Sequence, residues 1–167
     1  MKKLIIVLFL IIIISVRINE KEKILIPNNA IRFRIIANSN SIEDQKLKLD
    51  IKTDVEKELY SLISSAKSID EARIIITNNI DKVDNILKNH NVKYDISYGN
   101  NYFPIKEYKG IKYNAGNYES LVITIGEGLG QNWWCVLFPP LCLLDEQDNL
   151  NNANYELYAT KIINKFK

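Results

Sequence analysis

The residues of this chain whose types can do chemistry are two cysteines, one histidine and a glutamate inside a glycine cluster. Cys135 and Cys142 have six residues between them, Glu127 lies eight positions before Cys135, and His90 is the only histidine. A cysteine nucleophile needs a base within hydrogen-bond reach and a third group to orient that base. His90 sits in "KNHNV", a predicted helix end, where an imidazole commonly serves the C-terminal cap. The apolar neighbours of Cys135 in "NWWCVLF" disfavour a thiolate. An envelope hydrolase or transferase using Cys135 and Glu127 is thus the weaker reading, and no catalytic residue is expected. Two cysteines and one distant histidine fall short of the four ligands of a zinc site, so neither metal nor cofactor is expected. "GEGLG" after the apolar run "LVITI" has the glycines of a phosphate loop. It lacks a following lysine and helix, and "NWWCVLF" puts aromatic bulk where phosphates need amides.

The same stretch, Gly126 to Cys142, holds three of the six glycines, two of the four prolines, both tryptophans and both cysteines. If Trp133 and Trp134 continue a strand they face opposite ways, so both cannot enter one core. One should be core and the other exposed or covered by the loop at Pro139 and Pro140. An exposed tryptophan beside glycine and proline turns has the makings of a binding hot spot, because it offers a large area with little entropy left to lose. The candidate contact residues are Glu127, Gly128, Asn132, Trp133, Trp134 and Phe138, and a wall-glycan-binding module would use the same ingredients.

These residues must be positioned by the rest of the chain. "AIRFRIIA" alternates Ile31, Phe33 and Ile35 with Arg32 and Arg34, the period of a half-buried strand. "SIED" is a capping box opening a helix whose apolar face carries Leu47, Ile51, Val55, Leu59 and Leu62. "SIDE" opens a second helix that ends near "NHN". From Val92 the period is two; a turn is expected at "GNN", then "YFPIKEY", "IKY" and "SLVITI" as closely spaced strands that favour antiparallel neighbours, with Pro104 marking an edge. "ANYELYATKIINKF" predicts a last helix on the sheet. The expected fold is α+β: an antiparallel sheet with helices packed mainly on one face, in the order β-α-α-β-β-β-β-α.

At the N-terminus, Lys2 and Lys3 precede Leu4 to Val16, thirteen residues of which only Ser15 is polar. This length fits the apolar part of a signal peptide and falls short of the ~20 residues of a spanning helix. Residues 1–18 therefore read as a signal peptide or short membrane anchor that contacts the membrane through residues 4–16, residues 19–30 as a linker, and residues 31–167 as a single domain. Export makes a Cys135–Cys142 disulfide the leading reading, with two buried free thiols as the alternative. Twenty-two basic against twenty acidic residues leave no electrostatic footprint for nucleic acid.

Two segments, "IRFRIIANSNSIEDQKLKLDI" at Ile31–Ile51 and "YNAGNYESLVITIGEGLGQNWWCVLFPPLC" at Tyr113–Cys142, resemble the stage II sporulation protein R family of endospore-forming bacteria. Asn40 departs from the aspartate of that pattern, and Lys52-Thr53 from its Arg-Asp pair. The resemblance implies a signalling protein with no chemistry of its own, made in the forespore and exported into the septal intermembrane space. Its implied partner is a membrane-embedded aspartic protease of the mother cell, which then processes the precursor of the early mother-cell sigma factor.

Overall fold

The computed structural model describes residues 30–108, 111–142 and 152–166. The readings for residues 1–29, the export segment and linker, lie outside the described residues. No described helix is long and apolar enough to cross a membrane.

Strand β1 (Ile31–Ile36) obeys its alternation: Ile31, Phe33 and Ile35 are wholly buried on one face of the sheet, and Arg32 is wholly buried on the other. Helix α1 (Ile42–Ile63) starts where Ser41 Oγ accepts the amide N–H of Asp44 at 3.1 Å, and its buried stripe includes Ile51, Val55, Leu59 and Ile63. The segment expected as one further helix is two, α2 (Ile69–Asn78) and α3 (Ile80–Asn89). The break falls at Asn79, whose side-chain amide donates to the Ile75 carbonyl at 2.8 Å and whose φ of −122° leaves the helical region. A local side-chain bond to the backbone competes with the helix ladder there. Each half then aims its own apolar pair at the core, Ala72 with Ile76 and Val83 with Leu87.

Strand β2 (Tyr94–Phe103) runs straight through Gly99, where a turn was expected. It does so because it pairs without interruption along β5 (Gly116–Ile125), from Tyr94 opposite Ile125 to Phe103 opposite Gly116. Between them β3 (Lys106–Tyr108) and β4 (Ile111–Tyr113) form a separate hairpin. Strand β6 (Asn132–Phe138) and helix α4 (Asn152–Lys165) complete the order.

The four-stranded sheet is ordered β2-β5-β1-β6 and is mixed: β1 is parallel to β5, while β2–β5 and β1–β6 are antiparallel. The parallel pair demands a crossover, and α1 to α3 supply it on one face. There they enclose the main core of Phe33, Ile35, Leu121 and Ile123 with the helix stripes. On the other face a smaller cluster joins Tyr113, Val136, Leu141, Ala159 and Ile163. Arg73 of α2 ties the crossover to the sheet by donating to Glu119 of β5 at 2.8 to 3.0 Å, and the Tyr98 hydroxyl donates to the same carboxylate at 2.6 Å.

Candidate partner-binding surface

The parallel pairing of β1 and β5 brings together the loops that follow them, Ala37–Ser41 and Gly126–Gln131. Four backbone amides of the second loop donate into the first: Leu129 N to Asn38 O at 3.0 Å, Gly130 N to Ala37 O at 2.9 Å, Glu127 N to Asn38 Oδ1 at 3.0 Å and Gln131 N to Asn40 Oδ1 at 2.7 Å. Asn40 thus accepts with its amide oxygen, as a carboxylate at that place would. Below the joint, Asn38 Nδ2 donates to Asp44 at 2.9 Å, and Lys48, 6% exposed, donates to Gln45 Oε1 at 2.6 Å and to the Gln131 carbonyl at 3.1 Å. Hydrogen bonds from Ser39 and Asn38 hold the Asp44 carboxyl below its ordinary range, and burial pulls the Lys48 ammonium down.

This joint explains the glycine cluster. Gly126 has φ of +58°, and a Cβ there would strike the Asn38 side chain. At Gly130 a Cβ would overlap the Ser39 carbonyl. Gly128 closes the turn between them with its amide on the Ile125 carbonyl at 3.1 Å. Leu129 projects from the second loop and Ile42 from the first residue of α1, directly after the first loop; at 79% and 84% exposure they are the two most exposed large apolar residues among those described.

Trp133 and Trp134 do point to opposite faces, but neither stands free: both are half-buried. Trp133 packs edge-on against Phe33 at 5.7 Å between ring centres, with Lys52 Nζ at 5.0 Å. Trp134 packs edge-on against Tyr113 at 4.5 Å and Phe103 at 5.8 Å, with Lys106 Nζ at 5.1 Å. The expected division into one core ring and one ring exposed or covered by the proline loop is therefore replaced by two half-buried rings that each brace a face of β6. Trp133→Ala and Trp134→Ala are expected to lose similar amounts of stability, about 2–3 kcal/mol each and below the ~3–5 of a fully buried ring. Urea denaturation of the two variants measures it.

Phe138, expected at the contact surface, is instead 3% exposed and packs edge-on against Phe166 at 4.8 Å, so it is core. Asn132 and Glu127 are exposed, and Glu127 takes a bond from Lys93 Nζ at 2.8 Å that holds its carboxyl below the ordinary range. His90 closes α3, as its place in the sequence predicts, and pairs with Asp54 at 2.9 Å. Cys135 and Cys142 form a disulfide with Cα atoms 5.5 Å apart. The constellation of Cys135, Glu127 and His90 is thus not assembled: each member is engaged elsewhere. The loop closed by the disulfide folds Leu141 N back onto the Val136 carbonyl at 3.1 Å, covering part of the edge that β6 presents.

The family model described as stage II sporulation protein R matches residues 27–148, a span that includes both joined loops, β6 and the disulfide. The chain belongs to that family. Stage II sporulation protein R of Bacillus subtilis (strain 168) is 42% identical over 133 residues, covering 76% of this chain. The chain spans 59% of that relative's length. No solved structure matches. With the family in hand, the two segments that carry the resemblance prove to be neighbours in space, since Ile31–Ile51 supplies β1, the first loop and the start of α1, and Tyr113–Cys142 supplies β5, the second loop and β6.

Proposed function

We propose that this protein is an exported sporulation signal that binds a membrane-embedded aspartic protease of the mother cell and thereby drives processing of the early mother-cell sigma factor precursor. Membership of the stage II sporulation protein R family supports the setting. The observation that carries the binding role is the joint of the two loops, held close by the glycines of the second, beside which Leu129 and the first residue of α1, Ile42, project into solvent. A rigid surface with two exposed aliphatic side chains loses little entropy on docking, and their burial supplies affinity. A ligand of this kind needs no chemistry. It activates by binding the active state of the protease more tightly than the inactive state, for equal affinity shifts nothing.

The test is co-expression with the candidate protease and the sigma precursor in a non-sporulating host. The double variant Ile42→Asp with Leu129→Asp is expected to keep the wild-type melting temperature, because both side chains are already in water, and to lose processing by about tenfold or more, the loss of ~1.4 kcal/mol or more of binding. Wild-type processing by this variant removes the loop pair as the contact surface.

A further inference from the structure

The Cys135–Cys142 disulfide has a neighbour that its sequence setting does not announce. Glu56 of α1, 6% exposed, brings a carboxylate oxygen to within 4.8 Å of both sulfurs. Lys52, one turn earlier, pairs with that carboxylate at 2.8 Å. Beside the group opens a cleft of about 260 Å³, lined by Thr53, Glu56 and Tyr60 of α1 and by Leu137, Pro140 and Cys142 across from them. Lys57 and Tyr60 are the other ionisable groups at its wall. Cys142 lines the cleft and Cys135 does not.

We propose that Cys135, Cys142 and Glu56 form a thiol–disulfide exchange site that takes small thiols and disulfides through this cleft, with Cys142 as the exchanging sulfur and Glu56 as the proton carrier for Cys135. In the closing direction a small disulfide RSSR meets the reduced pair. The Cys142 thiolate attacks it, releasing RS⁻ and leaving a mixed disulfide Cys142–S–S–R. The Glu56 carboxylate then takes the proton of the Cys135 thiol, the new thiolate attacks Cys142 Sγ, and a second RS⁻ leaves. RSSR is reduced to two thiols and the protein pair is oxidised to the disulfide. In the opening direction a thiolate attacks Cys142 Sγ, Cys135 departs as the thiolate, and the Glu56 carboxyl returns the proton. Both sulfurs are buried, Cys135 at 5% and Cys142 at 7% exposure, but Cys142 lines the cleft and Cys135 does not. It is therefore the Cys135 proton that needs a carrier, and an unprotonated leaving thiolate there would be an uncompensated buried charge. Lys52 pairs with the Glu56 carboxylate and offsets its negative charge beside the sulfurs.

Glutathione disulfide is the probe, applied to the reduced full-length chain, with acid quenching and mass tagging of free thiols. Two single-cysteine variants test which sulfur exchanges. Under folding conditions Cys135→Ser, which retains Cys142, should be glutathionylated at least about tenfold faster than Cys142→Ser, which retains Cys135, and urea should erase the difference. Equal rates in the folded variants overturn the proposal. Closure of the wild-type pair at pH 6 should be at least about tenfold faster than in Glu56→Gln, the low end of what a positioned proton acceptor contributes. The gap should narrow as the pH rises, because hydroxide then competes with the carboxylate for the proton. A Glu56→Gln variant that is folded by circular dichroism and closes at the wild-type rate from pH 6 to pH 9 leaves the disulfide a brace only. Should that variant not fold, the single-cysteine comparison decides the matter by itself.

Discussion

Gly130→Ala is expected to part the two loops and silence the protein. The added Cβ meets the Ser39 carbonyl, which is backbone and cannot swing aside, and the Ala37 side chain stands close on the same side. Relief requires the loops to separate, which breaks the bonds from Gly130 N to Ala37 O and from Leu129 N to Asn38 O. Two hydrogen bonds at about 1 kcal/mol each, with strain of similar size, put the loss at ~2–4 kcal/mol. For a domain of this size that is a fall of roughly 10 °C in the melting temperature. Processing of the sigma precursor should fall further than stability does, because the variant that remains folded no longer presents Ile42 and Leu129 on one rigid frame. A scanning calorimetry trace and a processing assay on the same preparation test both halves. A variant that melts and signals as the wild type does would show that the loops have slack the structure does not display.

Arg32 is expected to behave as a packing residue whose charge is a burden. It is wholly buried between β1 and the rings of Tyr118, Phe103, Trp134 and Tyr113, with its guanidinium carbon 3.3 Å from the centre of the Tyr118 ring. Its Nε and Nη1 find no hydrogen-bond partner among the described residues. Burial draws its pKa down, and Tyr118 and Tyr113 offset that in part. The desolvation of a buried ion costs several kcal/mol, whereas a desolvated cation over an aromatic ring recovers ~2 kcal/mol. The balance favours removing the charge while keeping the volume. Arg32→Met should therefore melt at or above the wild-type temperature, and Arg32→Ala, which empties the aromatic box, should lose ~2–4 kcal/mol. If Arg32→Met falls as far as Arg32→Ala, the ring contacts of the guanidinium outweigh its desolvation.

Much of the scaffold is legible in the sequence because it is local. The alternation of Ile31, Phe33 and Ile35, the caps Ser41 and Ser68, and the opposite facing of Trp133 and Trp134 depend on residues within one turn or one pleat of each other. Where local signals compete, the reading slips: the bond from Asn79 to the Ile75 carbonyl splits a helix that its apolar period would continue. At Gly99 a turn signal yields to pairing along β5.

The surface proposed for the partner belongs to another category. In sequence Ile42 reads as the first residue after a cap and Leu129 as filler between two glycines, and Phe138 has the better claim to a hot spot. Their true standing follows from the parallel register of β1 on β5, which sets Asn38 against Glu127 across 89 residues and leaves Phe138 under Phe166. Glu56 came beside the disulfide in the same way, through the packing of α1 on β6. Sequence by itself determined most of the elements and the family motif, and made the pairing of the only two cysteines in the chain its leading reading, which the disulfide of the structure bears out. Tertiary structure alone decided which loops meet, which apolar side chains stay in water and which carboxylate lies against the sulfurs, because those outcomes depend on non-local contacts that no periodicity encodes.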